Sequence, residues 1–448
     1  MRTPRAPLAA LLALLAAAAC TRLLGGDYTV DPSLAAGSST GGRGGQGGGA
    51  SGGAGGAPPT VVEIKAGGRM SCARLSDGSV RCWGVGGPAL GTRRSNNLGD
   101  DEPPGSAGPV DLGGEATQLA VAYHACALLE GGAVRCWGLN DFAELGYGNT
   151  NPIGDNEAPA SAGPIDLGGK ATQIAAGSLH TCALLEDGSA RCWGFNGSGE
   201  LGYGNVDPIG DDETPASAGP IDLDGRATQI AAGVSHTCAL LEGGAVRCWG
   251  SNQLGQLGLG NADLVGDDEL PAAAELVDVG GKATQIAAGN YHTCALLEGG
   301  AVRCWGDNTV GQLGQGNTDL VGDDERPSET EPVALGGKAT QIAAGGASSC
   351  ARLEDASLRC WGANDAGQLG YGRTDDVGDD ERPVDAGPLD VGGPVSSCSL
   401  GEEHACALLE SGAVRCWGQN LDGQLGLGAA GNVGDDEPPA QAPPVQLF

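Results

Sequence analysis

Fourteen of the sixteen cysteines fall into seven pairs with ten positions between partners: Cys72 and Cys82, Cys126 and Cys136, Cys182 and Cys192, Cys238 and Cys248, Cys294 and Cys304, Cys350 and Cys360, Cys406 and Cys416. Such pairs could hold zinc or close disulfides. Zinc asks for CxxC-type pairs or converging histidines that complete a tetrahedron. A turn-bracketing pair repeated in every unit, in a chain that opens like an exported one, favours a disulfide within each hairpin. The five histidines, His124, His180, His236, His292 and His404, each stand two residues before the first cysteine of a pair. Being in register, they fall on different units and cannot converge on one ion. No unit adds a nucleophile or carboxylate that its siblings lack, so no catalytic residue is assigned and the chain reads as a non-enzyme. The histidines read as structural, each bonding a loop carbonyl.

Every unit also carries an acidic turn: Asp100–Glu102, Asp155–Glu157, Asp211–Glu213, Asp267–Glu269, Asp323–Glu325, Asp379–Glu381 and Asp435–Glu437. Six read GDDE and one GDNE, and together they hold 20 of the 56 acidic residues. Oxygen-rich loops suit calcium, weakly held. Aspartates beside a glycine, with a proline often following, equally suit turn chemistry, with side chains bonding nearby backbone N–H groups. No other metal or cofactor is expected.

These residues belong to seven copies of one unit. The first cysteines of the pairs are 54 residues apart once and 56 apart thereafter, and all seven tryptophans sit in a CWG triplet. A unit of that length cannot bury its own faces and must stack against its neighbours. In the third unit ATQIAA, HTCALLE and SARCWG read as short strands, and the PIDL that follows the long loop reads as a fourth. A three-residue turn at Glu186–Gly188, with Gly188 left-handed, makes Leu185 face Ser189 and Cys182 face Cys192. Alternation then places the cysteines at a non-hydrogen-bonded pair, where side chains approach closely enough for a disulfide. Gly78, Gly132, Gly244, Gly300 and Gly412 hold the same turn position, and Ala356 alone replaces it. Cys398 aligns with the apolar Ile174 and reads as a free, buried cysteine acting as a small hydrophobe.

Outside the repeats, Arg2 and Arg5 precede an apolar run from Ala6 to Ala19, which reads as an export signal over residues 1–19. Cys20 after Ala17, Ala18 and Ala19 resembles the lipobox of bacterial lipoproteins, which implies acylation at Cys20; Ala17 stands where that family usually has leucine. Residues 20–59 form a tether rich in Gly, Ser and Ala, and residues 60–448 form the repeat domain. The net charge of −32 argues against nucleic acid and against anionic lipid surfaces.

The unit KATQIAAGSLHTCALLEDGSARCWGFNGSGELGYG resembles the repeat of the regulator of chromosome condensation family. The first unit departs from it, lacking the histidine and carrying Gly86 where the others have asparagine. The resemblance implies an all-β, closed seven-bladed propeller with four antiparallel strands per blade, its ring latched in a way the sequence does not reveal. Within that family are nucleotide-exchange factors, scaffolds and inhibitors of secreted β-lactamases. Exchange activity fits an exported chain poorly.

Strand alternation puts the first–second and third–fourth connections on one face and the near-identical hairpin turns on the other. The first face varies from unit to unit, and its Tyr123, Phe142, Leu179, Phe195 and Tyr291 are the candidate binding residues. The expected role is non-catalytic recognition of an unidentified protein partner by a monomer in the bacterial cell envelope. The protein would be lipid-anchored at the outer membrane or cell surface, or else secreted, and touch membrane through the lipid alone. The alternatives are a glycan-binding or adhesive module, or an inhibitor of a secreted enzyme.

Overall fold

A computed structural model describes residues 58–448. The export segment, Cys20 and all but the last two residues of the tether lie outside them. The described residues make seven three-stranded antiparallel sheets, each built from consecutive strands and ordered outward from the first. Blade one uses Val61–Ala66, Met70–Leu75 and Val80–Gly84. Blade three uses Ala171–Ala176, His180–Leu185 and Ala190–Gly194, and blade seven Val395–Leu400, His404–Leu409 and Val414–Gly418. The result is the expected seven-bladed propeller.

The hairpin register agrees with the count along the sequence. Leu185 N–H donates to the Ser189 carbonyl at 2.9 Å, and Cys182 lies opposite Cys192 with a Cα separation of 4.1 Å. All seven pairs are disulfide-bonded, and none joins one blade to another. Gly188 has φ 80°, and Ala356 adopts the same left-handed conformation at φ 65°. Cys398 is free and buried in the innermost strand of blade seven, and its apolar surroundings push the thiol up to about 12.

The fourth strand is much shorter than expected. In blade three, Ile221 N–H donates to the Ala190 carbonyl at 3.1 Å, and the equivalent residues Val110, Ile165, Val277, Val333, Leu389 and Val445 each make one such bond. Proline, lacking an N–H, precedes several of these residues, and the aspartate that follows Ile221 turns its carboxylate onto the Asp224 N–H. One bridge is what remains of the ladder.

Sequence periodicity is weak because both faces of a blade are covered. The second strand is buried at all six positions in blades two to five and blade seven. The seven tryptophans are fully buried, and each indole N–H reaches the preceding blade, as from Trp193 to the Glu144 carbonyl at 3.0 Å and from Trp83 back to the Gln424 carbonyl at 2.9 Å.

The histidines complete this inter-blade joint. His124 Nε2 meets the Thr181 hydroxyl of the next blade at 2.6 Å, and Thr181 donates to the Glu144 carbonyl at 2.8 Å. The pattern repeats for His180 with Thr237, His236 with Thr293, His292 with Ser349 and His404 with Ser71. Each hydroxyl spends its one proton on a carbonyl, so the imidazole must donate from Nε2. The expected histidine–carbonyl bond is thus relayed through a hydroxyl. Burial holds the imidazoles down at about 3 to about 4, which keeps them neutral.

Nearer the axis, glutamines on innermost strands clasp the next blade with both ends of the amide. Gln229 donates to the Ile286 carbonyl at 2.8 Å and accepts from the Ile286 N–H at 2.9 Å. Gln118 and Gln285 do the same to Ile174 and Ile342. The ring closes without a shared strand. Blade seven meets blade one through His404–Ser71, through Ala66 N–H to the Ser399 hydroxyl at 3.0 Å, and through Gly105 N–H to the Gln446 carbonyl at 3.0 Å.

Candidate recognition face

The loops before each histidine and after each tryptophan share one face, as strand alternation requires. An asparagine two residues beyond each CWG from the second unit onward organises the long loop. Asn196 accepts from the Leu201 N–H at 2.9 Å and donates to the Asn205 and Asp207 carbonyls, each at 2.8 Å. The variable residues next to it are therefore carried on a fixed frame.

Four of the five expected residues lie in loops of two adjacent blades. Tyr123 and Phe142 belong to blade two, Leu179 and Phe195 to blade three. Phe142 and Phe195 meet edge to face with centroids 5.5 Å apart, which favours aromatic pairs beyond simple area burial. Phe195 lies over Gly197 of its own loop, where an added Cβ would come within 2.5 Å of the ring. All four side chains are half-buried, while Tyr291, three blades from Tyr123 in chain order, is 37% exposed. The sequence did not foretell the edge-to-face contact, because Phe142 and Phe195 stand at non-equivalent positions of their loops.

At the axis the loops before the histidines surround a cavity of about 90 Å³ lined by glycine and alanine from all seven blades. Backbone bonds tie its rim from blade to blade, including Gly68 N–H to Ala122, Val234 N–H to Asn290, and Glu402 N–H to Gly67. Glu402 crosses the mouth, accepting from Asn290 Nδ2 at 2.7 Å and from the Tyr123 hydroxyl. Burial raises its carboxyl above the ordinary range. Tyr123 is thus engaged at the mouth of the channel as well as forming part of the varied face.

Beneath the long loops of blades two to seven, one buried side chain per blade accepts a backbone N–H two residues before it. Gln256, Gln312, Gln368 and Gln424 do so from blades four to seven. Blades two and three have Glu144 and Glu200 there, accepting from the Phe142 N–H at 2.9 Å and the Ser198 N–H at 2.7 Å. Burial pushes Glu144 up to about 7 and Glu200 to about 8. Neither glutamate stood out in the sequence, although GELG or AELG among GQLG repeats is the signal.

The acidic turns ride on the preceding blade, as where Gly204 N–H donates to the Gly266 carbonyl at 3.1 Å. Asp267, Asp268 and Glu269 bring carboxylate oxygens within 4.8 Å of one another, and Asp211 accepts from the Asp212 N–H at 3.1 Å. Partial burial and crowded carboxylates raise the glutamates of the GDDE turns, Glu325 to about 7. Three such groups could share a proton or meet a cation, but fall short of the roughly six to eight oxygens that calcium takes.

Residues 155–447 match the model of the RCC1-like domain, and residues 120–144 that of the regulator of chromosome condensation (RCC1) repeat. The ultraviolet-B receptor UVR8 of Arabidopsis thaliana is 31% identical over 384 residues, covering 83% of this chain and 80% of the receptor. The E3 ubiquitin-protein ligase HERC2 of Homo sapiens is 28% identical over 328 residues, which are 72% of this chain and 6% of the ligase. Among solved structures, yeast RCC1 (Prp20) bound to Kap60 superposes with a TM-score of 0.62 at 21% identity, covering 86% of this chain and 85% of that one.

Proposed function

The chain belongs to the family of RCC1-like domains, and from that premise we propose that it is a non-catalytic binding protein that recognises a protein partner through the loop face of the propeller. The observation that carries this reading is the edge-to-face pair of Phe142 and Phe195, which joins the varied loops of blades two and three. The opposite face repeats nearly the same turn seven times, while this face differs in every blade. Rigid aromatic side chains on a fixed frame offer contact area at small entropic cost.

We place the protein in the bacterial cell envelope, held by a lipid on Cys20 and spaced from the bilayer by the tether. The support is the arginine-led apolar run and the small residues before Cys20. Cys20→Ala should move the protein from the membrane fraction to the soluble one; unchanged fractionation overturns the anchor.

Affinity capture from envelope and medium proteins tests the recognition reading. Wild type should retain a protein that Phe142→Ala/Phe195→Ala/Tyr291→Ala loses. Equal retention by both would remove the face from the account. Capture of no protein, with binding on a glycan array, would replace the protein partner by a sugar.

A further inference from the structure

We propose that the aromatic patch on blades two and three is gated by pH through Glu144 and Glu200, whose protonated carboxyls hold the Phe142 and Ser198 segments and whose ionised forms release them. The inference rests on reading that patch as the recognition face.

Four sister blades serve as internal controls. Their glutamine amides accept the same backbone N–H with no net charge, and two find a partner for the amide nitrogen five residues earlier. Gln312 donates to Asp307 at 2.9 Å and Gln424 to Gln419 at 3.3 Å. The equivalent positions before Glu144 and Glu200 are Leu139 and Phe195, which have no polar side-chain atom. Glu200 is fully buried and its Oε1 has no hydrogen-bond partner. A neutral carboxylic acid resembles the amide in shape and polarity. A carboxylate in the same space is a buried charge with backbone N–H groups but no cation to offset it.

Two backbone N–H groups favour each ionised carboxyl, its own and that of Phe142 or Ser198, and burial outweighs them. Asp141 in the same loop adds repulsion to Glu144. From the next blade, Thr181 and Trp193 face the Glu144 carbonyl, while Thr237 and Trp249 face that of Glu200. The titratable groups behind those hydroxyls, His124 and His180, are held neutral by burial, as is His236 near the Glu200 backbone. Among the described residues, no cation shifts either carboxyl. Ionisation therefore draws each side chain toward water and takes the acceptor away from the Phe142 and Ser198 N–H groups. These two segments carry the edge-to-face pair, so the patch loses its shape as pH rises.

Amide exchange in the full chain, corrected for the intrinsic rate, reads the gate without a partner. Between about pH 6 and about pH 8.5, protection at Phe142 and Ser198 should fall about tenfold or more. Protection at Leu254 and Val310, held by Gln256 and Gln312, should stay level. Glu144→Gln/Glu200→Gln should abolish the fall, and Gln256→Glu should create one at Leu254. Level protection at Phe142 and Ser198 in wild type overturns the proposal, as does a fall that persists in the glutamine variant or is equal in all blades. Partner capture by the phenylalanine variants reports on the recognition reading separately.

Discussion

His236 Nε2 lies 3.0 Å from the Thr293 hydroxyl of the next blade, and wherever a blade lacks this histidine its neighbour also lacks the hydroxyl. Met70 of blade one precedes Ala125 of blade two, and Ser348 of blade six precedes Ala405 of blade seven. The two positions act as one joint.

Swapping the joint should therefore be cooperative. Thr293→Ala strands a buried imidazole donor, and His236→Met crowds an intact hydroxyl; each should cost about 1–3 kcal/mol. The double variant, which recreates the Met70–Ala125 pair, should recover about 1 kcal/mol relative to the sum. Denaturant unfolding of the four chains of the cycle checks this, and strict additivity would show two independent sites.

Acid should unfold the ring earlier than carboxylate titration alone. Five imidazoles are depressed from 6.5 to about 3 or about 4 by burial, so the unfolded chain binds protons that the folded chain refuses. Their contribution is present above about pH 6.5 and lost as pH falls toward 4, at about 1.4 kcal/mol per unit for each histidine. Glu144 and Glu200 act in the opposite sense, since their raised carboxyls remove stability as pH rises from about 4.5 through about 7 and about 8. The melting temperature should peak near about pH 6. His292→Gln should flatten the acid limb.

Removing one hairpin disulfide should weaken one blade. Cys182→Ser/Cys192→Ser should cost about 2–3 kcal/mol in the loop-entropy account. Titration of the denatured, unreduced propeller should find a single thiol, Cys398. A count of several thiols would contradict the pairing.

Ala356 is one of four non-glycine residues with positive φ among the described residues. Ala356→Gly should relieve about 1 kcal/mol of left-handed strain, less the entropy that glycine adds to the unfolded chain. A small rise in melting temperature is expected, and a fall would mean that the methyl group contributes more to packing than the strain costs.

The blade count and the disulfide register were legible because they follow from repetition and from counting along one hairpin, and the closed ring because the repeat resembles a known family. The short fourth strand was not, since a residue such as Ile221 fits the strand pattern whether it makes one ladder bond or several. The histidine partner was missed for a different reason. His180 and Thr237 are 57 residues apart, one period plus one, so the contact appears only when neighbouring units are read side by side. Reading units against one another would also have exposed Glu144 and Glu200. Tyr123, Phe142, Leu179 and Phe195 were singled out by their variation within the chain. Their grouping on two adjacent blades follows from ring order.

Each hairpin turn on the face away from those loops is enclosed by its own Cys–Cys bridge, and Glu186 and Asp187 at one such tip are exposed. A peptidase that cuts between them separates two chain segments that Cys182–Cys192 still joins. The same holds at every blade, so the ring can be nicked at all seven tips and still travel as one covalent body. Only added reductant would resolve it into fragments. For a protein whose surroundings contain peptidases, the bridges preserve the molecule after its backbone has been broken.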